Sequence, residues 1–78
     1  MNPSVADDLA SLGVEEFLVS AAAGLASLAY ARLEAKDLPE AKLAIDALQS
    51  LLPHISGEIH TDLQQALAGL QVAFVSAT

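Results

Sequence analysis

The run from Phe17 to Ala31, FLVSAAAGLASLAYA, carries no charge over fifteen residues. Glu15 and Glu16 bracket it in front, and Arg32 and Lys36 behind. Wound as a helix at about 100° per residue, it shows two apolar stripes where an ordinary surface helix has one. Val14, Phe17, Leu18, Ala21, Leu25 and Leu28 fall on one side. Val19, Ala23, Ala26 and Tyr30 fall on the opposite side, with Ser20 and Ser27 as polar relief. A helix apolar all round belongs in a large core or a bilayer. A chain of 78 residues has no large core to offer.

The bilayer is the weaker resolution of that conflict. A span takes about twenty apolar residues, and the charge-free run stops at fifteen, much of it alanine. Aromatic belts are missing too, and hardly any cations flank the run. No membrane span is expected. Nor does a secretory leader show, because residues 1–13 hold no basic segment and Asp7 and Asp8 precede the apolar run. A cytoplasmic location is the expectation.

Association with another chain is the stronger resolution. At this length buried area and chain entropy nearly cancel, and many such domains need a staple. There is no cysteine, hence no disulfide and no thiolate metal site. Hydrophobic residues make up 54% of the chain, but sixteen of them are alanines. Charged residues are 17%, against about 25% in an average domain. Too few polar residues remain to coat a monomer, and a second chain would supply both stability and cover.

The net charge is −7, and the three cations Arg32, Lys36 and Lys42 sit within eleven residues. Phosphate binding needs clustered Lys and Arg along one face, so no nucleic-acid partner is expected. Acidity alone mainly confers solubility.

Residues 1–13 read as an N-terminal arm or short helix. Ser4 is placed to cap it, Asp7 follows three residues on, and Val5, Leu9 and Leu12 share a side. Gly13 would stop that helix or cap the next. Residues 14–78 read as an all-α three-helix bundle, with helices at about 14–36, 38–56 and 61–76. In the first, Glu15 and Glu16 in the opening turn and Arg32 and Lys36 in the last complement the macrodipole. Gly24, with Ser20, Ala21, Ala23 and Ser27, makes a smooth patch suited to close helix packing, at a helix cost of about 1 kcal/mol for the glycine.

Asp37-Leu38-Pro39-Glu40 opens the second helix: Asp37 caps, Pro39 fits the first turn, and Glu40 takes the capping-box position. So short a link forces an antiparallel hairpin. Leu38, Ala41, Ile45, Leu48 and Leu52 then form one stripe, and Lys42 and Asp46 an i,i+4 pair. Pro53 ends or kinks the helix, and Ile55 followed by Gly57 favours a kinked last turn. The third helix carries Leu63, Leu67, Leu70 and Phe74, while Ala68, Val72 and Val75 lie off that stripe. The expected core is Phe17, Leu18, Ala21, Leu25, Leu28, Ile45, Leu48, Leu52, Leu63, Leu67, Leu70 and Phe74.

Between the second and third helices lie His54, Glu58, His60 and Asp62, the nearest approach to a site. Their spacing matches no established ligand motif, and His60 or Thr61 reads more simply as the cap of the third helix. No metal or other cofactor is expected. Nucleophilic catalysis needs a base beside a serine or threonine in a water-excluding pocket. The serines lie on an alanine-rich helix or at caps, so no catalytic residue is assigned.

The stretches Val14-Glu15-Glu16-Phe17-Leu18-Val19-Ser20 and Asp37-Leu38-Pro39-Glu40-Ala41-Lys42-Leu43-Ala44-Ile45-Asp46-Ala47-Leu48, with Gly57 before a third helix, resemble a family of short uncharacterised bacterial all-helical proteins, a domain of unknown function. The resemblance covers 14–76 and implies three helices and a bacterial cytoplasmic origin, with no activity attached. That family follows its glycine with Asn-Leu-Thr and glutamates and ends in a basic segment. Here Glu58-Ile59-His60-Thr61-Asp62 and a neutral Ser76-Ala77-Thr78 stand instead.

The expected function is therefore a non-catalytic helical interaction module, self-associating or acting as a small accessory subunit of a larger protein. Its expected interface is Val19, Ala23, Ala26, Tyr30, Ala68, Val72 and Val75. The alternative is an acidic regulatory protein that engages a basic partner electrostatically.

Overall fold

A computed structural model describes residues 13–78; the expected arm or short helix over residues 1–12 lies outside them. Three helices form the described fold: α1 (Val14–Glu34), α2 (Leu38–Leu51) and α3 (Gly57–Ala77), with a single 3-10 turn over Leu52–His54 after α2. No strand occurs among the described residues. All three helices pack against one another, α1 most extensively on α2. The fold is the all-α three-helix bundle that the periodicity implies.

Gly13 is the N-cap of α1, with its carbonyl accepting from Phe17 N–H at 3.1 Å. At its far end α1 stops at Glu34, two residues short of the expectation. Lys36 N–H donates to the Leu33 carbonyl at 3.0 Å and Asp37 N–H to the Arg32 carbonyl at 2.9 Å. This pair of bonds is a Schellman ending, which satisfies carbonyls that the helix leaves orphaned. The ending requires a left-handed residue, and Lys36 takes it with φ 60°. Lys36 therefore lies beyond the last turn, where Arg32 alone supplies the positive charge.

Asp37 then starts α2 as the sequence implies: its carboxylate accepts from Glu40 N–H at 3.4 Å, with Pro39 in the first turn. The α-helical ladder of α2 ends at Leu51, because Pro53 has no N–H to continue it. The chain tightens into the 3-10 turn and is extended at Ile55 and Ser56. The expected helix to residue 56 is thus too long. Gly57, at φ +79°, makes the bend into α3, which begins there and not at residue 61. His60 and Thr61 accordingly lie inside α3; Ser56 occupies the N-cap position without a side-chain capping bond.

The core consists of Ala22 and Ala29 from α1, Ala44, Ile45 and Leu48 from α2, Leu52 and Ile55 from the connection, and Leu67 and Leu70 from α3. Leu18, Val19, Leu25, Ala26, Leu33, Leu63 and Phe74 pack around it, partly buried. The expected core needs one correction, on α1. Phe17 and Leu28 are 51% and 46% exposed, and Ala21 is only half-buried and outside the core cluster. Ala22 and Ala29, which neither apolar stripe contained, have no exposed surface. On the helix wheel these alanines fall between the two stripes. The bundle has turned α1 so that its smallest side chains meet the other helices and each stripe contributes only its near edge.

Two stability measurements follow from this arrangement. Leu48, fully buried, should lose about 2–5 kcal/mol on replacement by alanine. Phe17→Ala should lose less than about 1 kcal/mol in a monomer, since half the ring is already in water. Equal losses for the two variants would reverse the orientation of α1. Separately, Lys36→Gly should raise the urea midpoint, because relieving a left-handed non-glycine residue is worth about 1 kcal/mol. A lower midpoint would mean that the lysine side chain, and not the backbone, holds this turn.

Candidate interaction surface

Among the described residues the exposed large apolar side chains are Val14, Phe17, Leu28 and Tyr30 on α1, Leu43 on α2, and Ile59, Val72 and Val75 on α3. Half of them belong to α1, so the apolar excess of that helix remains on the surface of the bundle. The expected interface residues separate into three groups. Val19 and Ala26 are partly buried against the chain's own core. Ala23 and Tyr30 are exposed, with the Tyr30 hydroxyl 3.4 Å from where a Cβ on Gly69 would stand. The absence of a side chain at Gly69 gives the tyrosine room at the α1–α3 seam.

Ala68, Val72 and Val75 form the third group. With Gln71 and Ser76 they line an open depression of about 420 Å³ on α3. Val75 and Gln71 also border a smaller one of about 160 Å³ with Ile45, Phe74 and the Lys42–Asp46 pair. This places Val75 toward α2, about 120° round α3 from Gly69. The structure therefore does not gather the seven residues into one patch.

Gly24 behaves differently from Gly69. A Cβ there would meet nothing within 4 Å, so no element of the bundle uses the closeness that the smooth patch permits. Val14, Phe17, Ala21, Gly24, Leu28 and Ala31 lie on one outward line, all exposed except the half-buried Ala21. Their spacing is three, four, three, four and three. That is the a/d spacing of a coiled-coil seam, and it was hidden because part of it had been assigned to the core.

The polar groups near the α2–α3 connection act on the fold. One Glu15 carboxylate oxygen accepts from both the Ser56 N–H and the Ser56 hydroxyl, each at 2.7 Å, across 41 residues. The hydroxyl first and the N–H second hold the Glu15 carboxyl below its ordinary value of 4.5. His60 Nδ1 lies 3.0 Å from the Leu52 carbonyl and 2.9 Å from that of Ile55. Carbonyl oxygens only accept, so the proton is assigned to Nδ1 and His60 donates to both. It ties α3 back to the end of α2. No sequence pattern signalled either contact, since both join groups brought together only by the bundle.

His54 is exposed in the 3-10 turn, and Glu58 and Asp62 are exposed one turn apart on α3. Among the described residues no three His, Asp or Glu side chains are placed to share a metal ion. The Lys42–Asp46 pair forms at 2.9 Å and Arg32 approaches Asp37 at 3.8 Å, both well solvated, where such pairs contribute little. By length and composition α1 is also a helix that could cross a membrane, a test that core helices of soluble proteins pass as well.

Comparison with protein-family models, with curated proteins and with solved structures returns no match for this chain. Any role for this surface rests on its own geometry.

The Glu15 contact has a pH signature. Its carboxyl is held low in the fold, so the contact stabilises fully above the ordinary value of 4.5 and is lost as pH falls through the lower folded value. Wild type should thus exceed Glu15→Gln in stability at neutral pH, with the gap closing in acid below about pH 4.5. Denaturation curves across that range provide the check, and a gap independent of pH would mean the carboxylate charge is not what Ser56 reads.

Proposed function

We propose that this protein is a non-catalytic helical interaction module, which self-associates or joins a larger protein as a small accessory subunit. The supporting observation is the outward line on α1, where Val14, Phe17 and Leu28 stand 77%, 51% and 46% exposed, the latter two within the charge-free run. Contiguous exposed apolar surface of this kind marks association sites in soluble proteins. The open depression on α3 at Ala68, Val72 and Val75, exposed Ala23, and Tyr30 at the α1–α3 seam offer secondary contacts. The shallow groove is lined by alanine, valine, glutamine and Ser76, with no histidine or carboxylate among them to act as base to that hydroxyl.

A bilayer suits the intact bundle poorly. Glu40, Lys42 and Asp46 on α2, and Glu58 and Asp62 on α3, would enter it beside α1, each at a cost of several kcal/mol. The acidic regulatory alternative draws on the ten carboxylates against three cations. Two of the three cations already face carboxylates of their own chain.

Salt separates the two readings. Contacts through apolar faces should hold or tighten between about 50 and 500 mM salt, whereas electrostatic association weakens steeply over that range. Sedimentation equilibrium at both salts measures this directly. A complex that dissolves as salt rises would favour the acidic regulator over the interaction module.

A further inference from the structure

Resting on the interaction-module reading, we infer that the outward line of α1 is occupied by a second copy of the same helix, antiparallel to the first, with the two-fold axis passing at Gly24. Four features of α1 select this occupant. The line Val14, Phe17, Ala21, Gly24, Leu28, Ala31 keeps heptad spacing along nearly the whole helix and faces away from α2 and α3. A partner helix can lie along it without displacing either of them.

Second, Gly24 sits at the midpoint of Val14–Glu34, with open space where its Cβ would be. A mid-helix glycine costs about 1 kcal/mol against alanine, and nothing within the bundle uses it. Two backbones crossing there could approach closely.

Third, the line is self-complementary in reverse and not in parallel. Antiparallel about Gly24, Phe17 comes level with the partner's Ala31 and Leu28 with the partner's Ser20, beside its Ala21, so the two bulky side chains oppose small ones. In parallel, Phe17 would oppose the partner's Phe17 and Leu28 the partner's Leu28, holding the backbones apart at the glycine.

Fourth, the ends of α1 differ in charge. Glu15 and Glu16 lie unbalanced in its first turn, whereas Arg32 and Lys36 at or just beyond its last are offset by Glu34 and Asp37. Antiparallel copies keep the two acidic first turns apart and set opposite dipole poles side by side; parallel copies place like beside like. A two-helix contact about 31 Å long buries roughly 1,000 Å² in all, at the low end for a specific interface. The dimer should therefore dissociate at micromolar, not nanomolar, concentration.

The chain has no cysteine, so single introduced thiols report geometry cleanly. Gly24→Cys should form a disulfide-linked dimer of the full-length protein under mild oxidation, because only near the axis do equivalent positions reach bonding distance. Ala31→Cys should not link to itself, since antiparallel copies separate those positions by about 21 Å along the axis. Leu43→Cys, on the exposed face of α2, should not link either. In sedimentation the wild type should be a dimer at high concentration. Phe17→Glu should weaken it at least tenfold while the far-ultraviolet spectrum is unchanged.

Linking through Ala31→Cys would make the pairing parallel, and linking through Leu43→Cys would move it to another face; either overturns the inference. A wild type that is monomeric at all concentrations overturns it too. The reactivity of the thiol at position 24 then tells what replaces it: slow modification means another part of the same chain covers the line, and fast modification that the line stands open to a foreign partner. In that last case the interaction-module reading still stands, while association that fails in salt would remove the module reading itself.

Discussion

The fully buried positions of α1, Ala22 and Ala29, set the terms for the rest of the molecule. Alanine brings little apolar area of its own, so these positions contribute closeness more than transfer free energy. The larger payload comes from opposite, from Ile45, Leu48, Leu52, Leu67 and Leu70. With only methyl groups between them and the α1 backbone, those side chains pack under the helix and its flanking Leu18, Leu25 and Leu33. The geometric consequence is that the bulkiest groups of α1 are carried to its sides. Phe17, Leu28 and Tyr30 remain near half exposure because the seat of the helix is too narrow to cover them.

A core this thin leaves much of the definition to the turns. Each connection is held by groups that satisfy backbone atoms a helix end would otherwise expose. Lys36 in its left-handed conformation and the Asp37 cap close the α1–α2 turn from both sides. In the second connection the Ser56 N–H goes to Glu15, and the Leu52 and Ile55 carbonyls go to His60. No buried side-chain polar atom among the described residues lacks a partner. Because Glu15 belongs to the first turn of α1 and Ser56 to the entry of α3, that contact also sets the parallel alignment of the two helices.

The parts legible in the sequence were those where one signal acted alone. Helix α2 has a single stripe, a capping aspartate and a proline in its first turn, and its core positions Ala41, Ala44, Ile45 and Leu48 are all buried. Helix α1 had two competing stripes, and the pattern named both without saying which would be buried. The answer lay between them, at alanines whose hydrophobic weight is too small to register beside Phe17 or Leu28. The start of α3 was misplaced for a related reason. Residues 57–62 contain a histidine and two carboxylates that read as loop, and only the fold brings His60 against the carbonyls of Leu52 and Ile55. For the candidate surface, composition gave the apolar excess on α1 correctly but not its direction. The outward line could be recognised only after Phe17 and Leu28 were released from the core.

Placing the excess on one line has a consequence for how the molecule can assemble. An apolar face that complements a different face of the next copy propagates without closing and gives fibres, whereas a self-complementary face closes after two copies. The second exposed apolar region, around Val72 and Val75, borders the Lys42–Asp46 ion pair and Gln71. Charge at its rim makes it a poor seat for a helix that has none between Glu16 and Arg32. The α1 line, by contrast, is flanked along its length by Ser20, Ser27, Leu18 and Leu25, none of them charged. On the proposed pairing, the line is matched by itself. Pairing there would withdraw the charge-free run of α1 from water while leaving the carboxylates of α2 and α3 outward, where mutual repulsion between dimers opposes further growth.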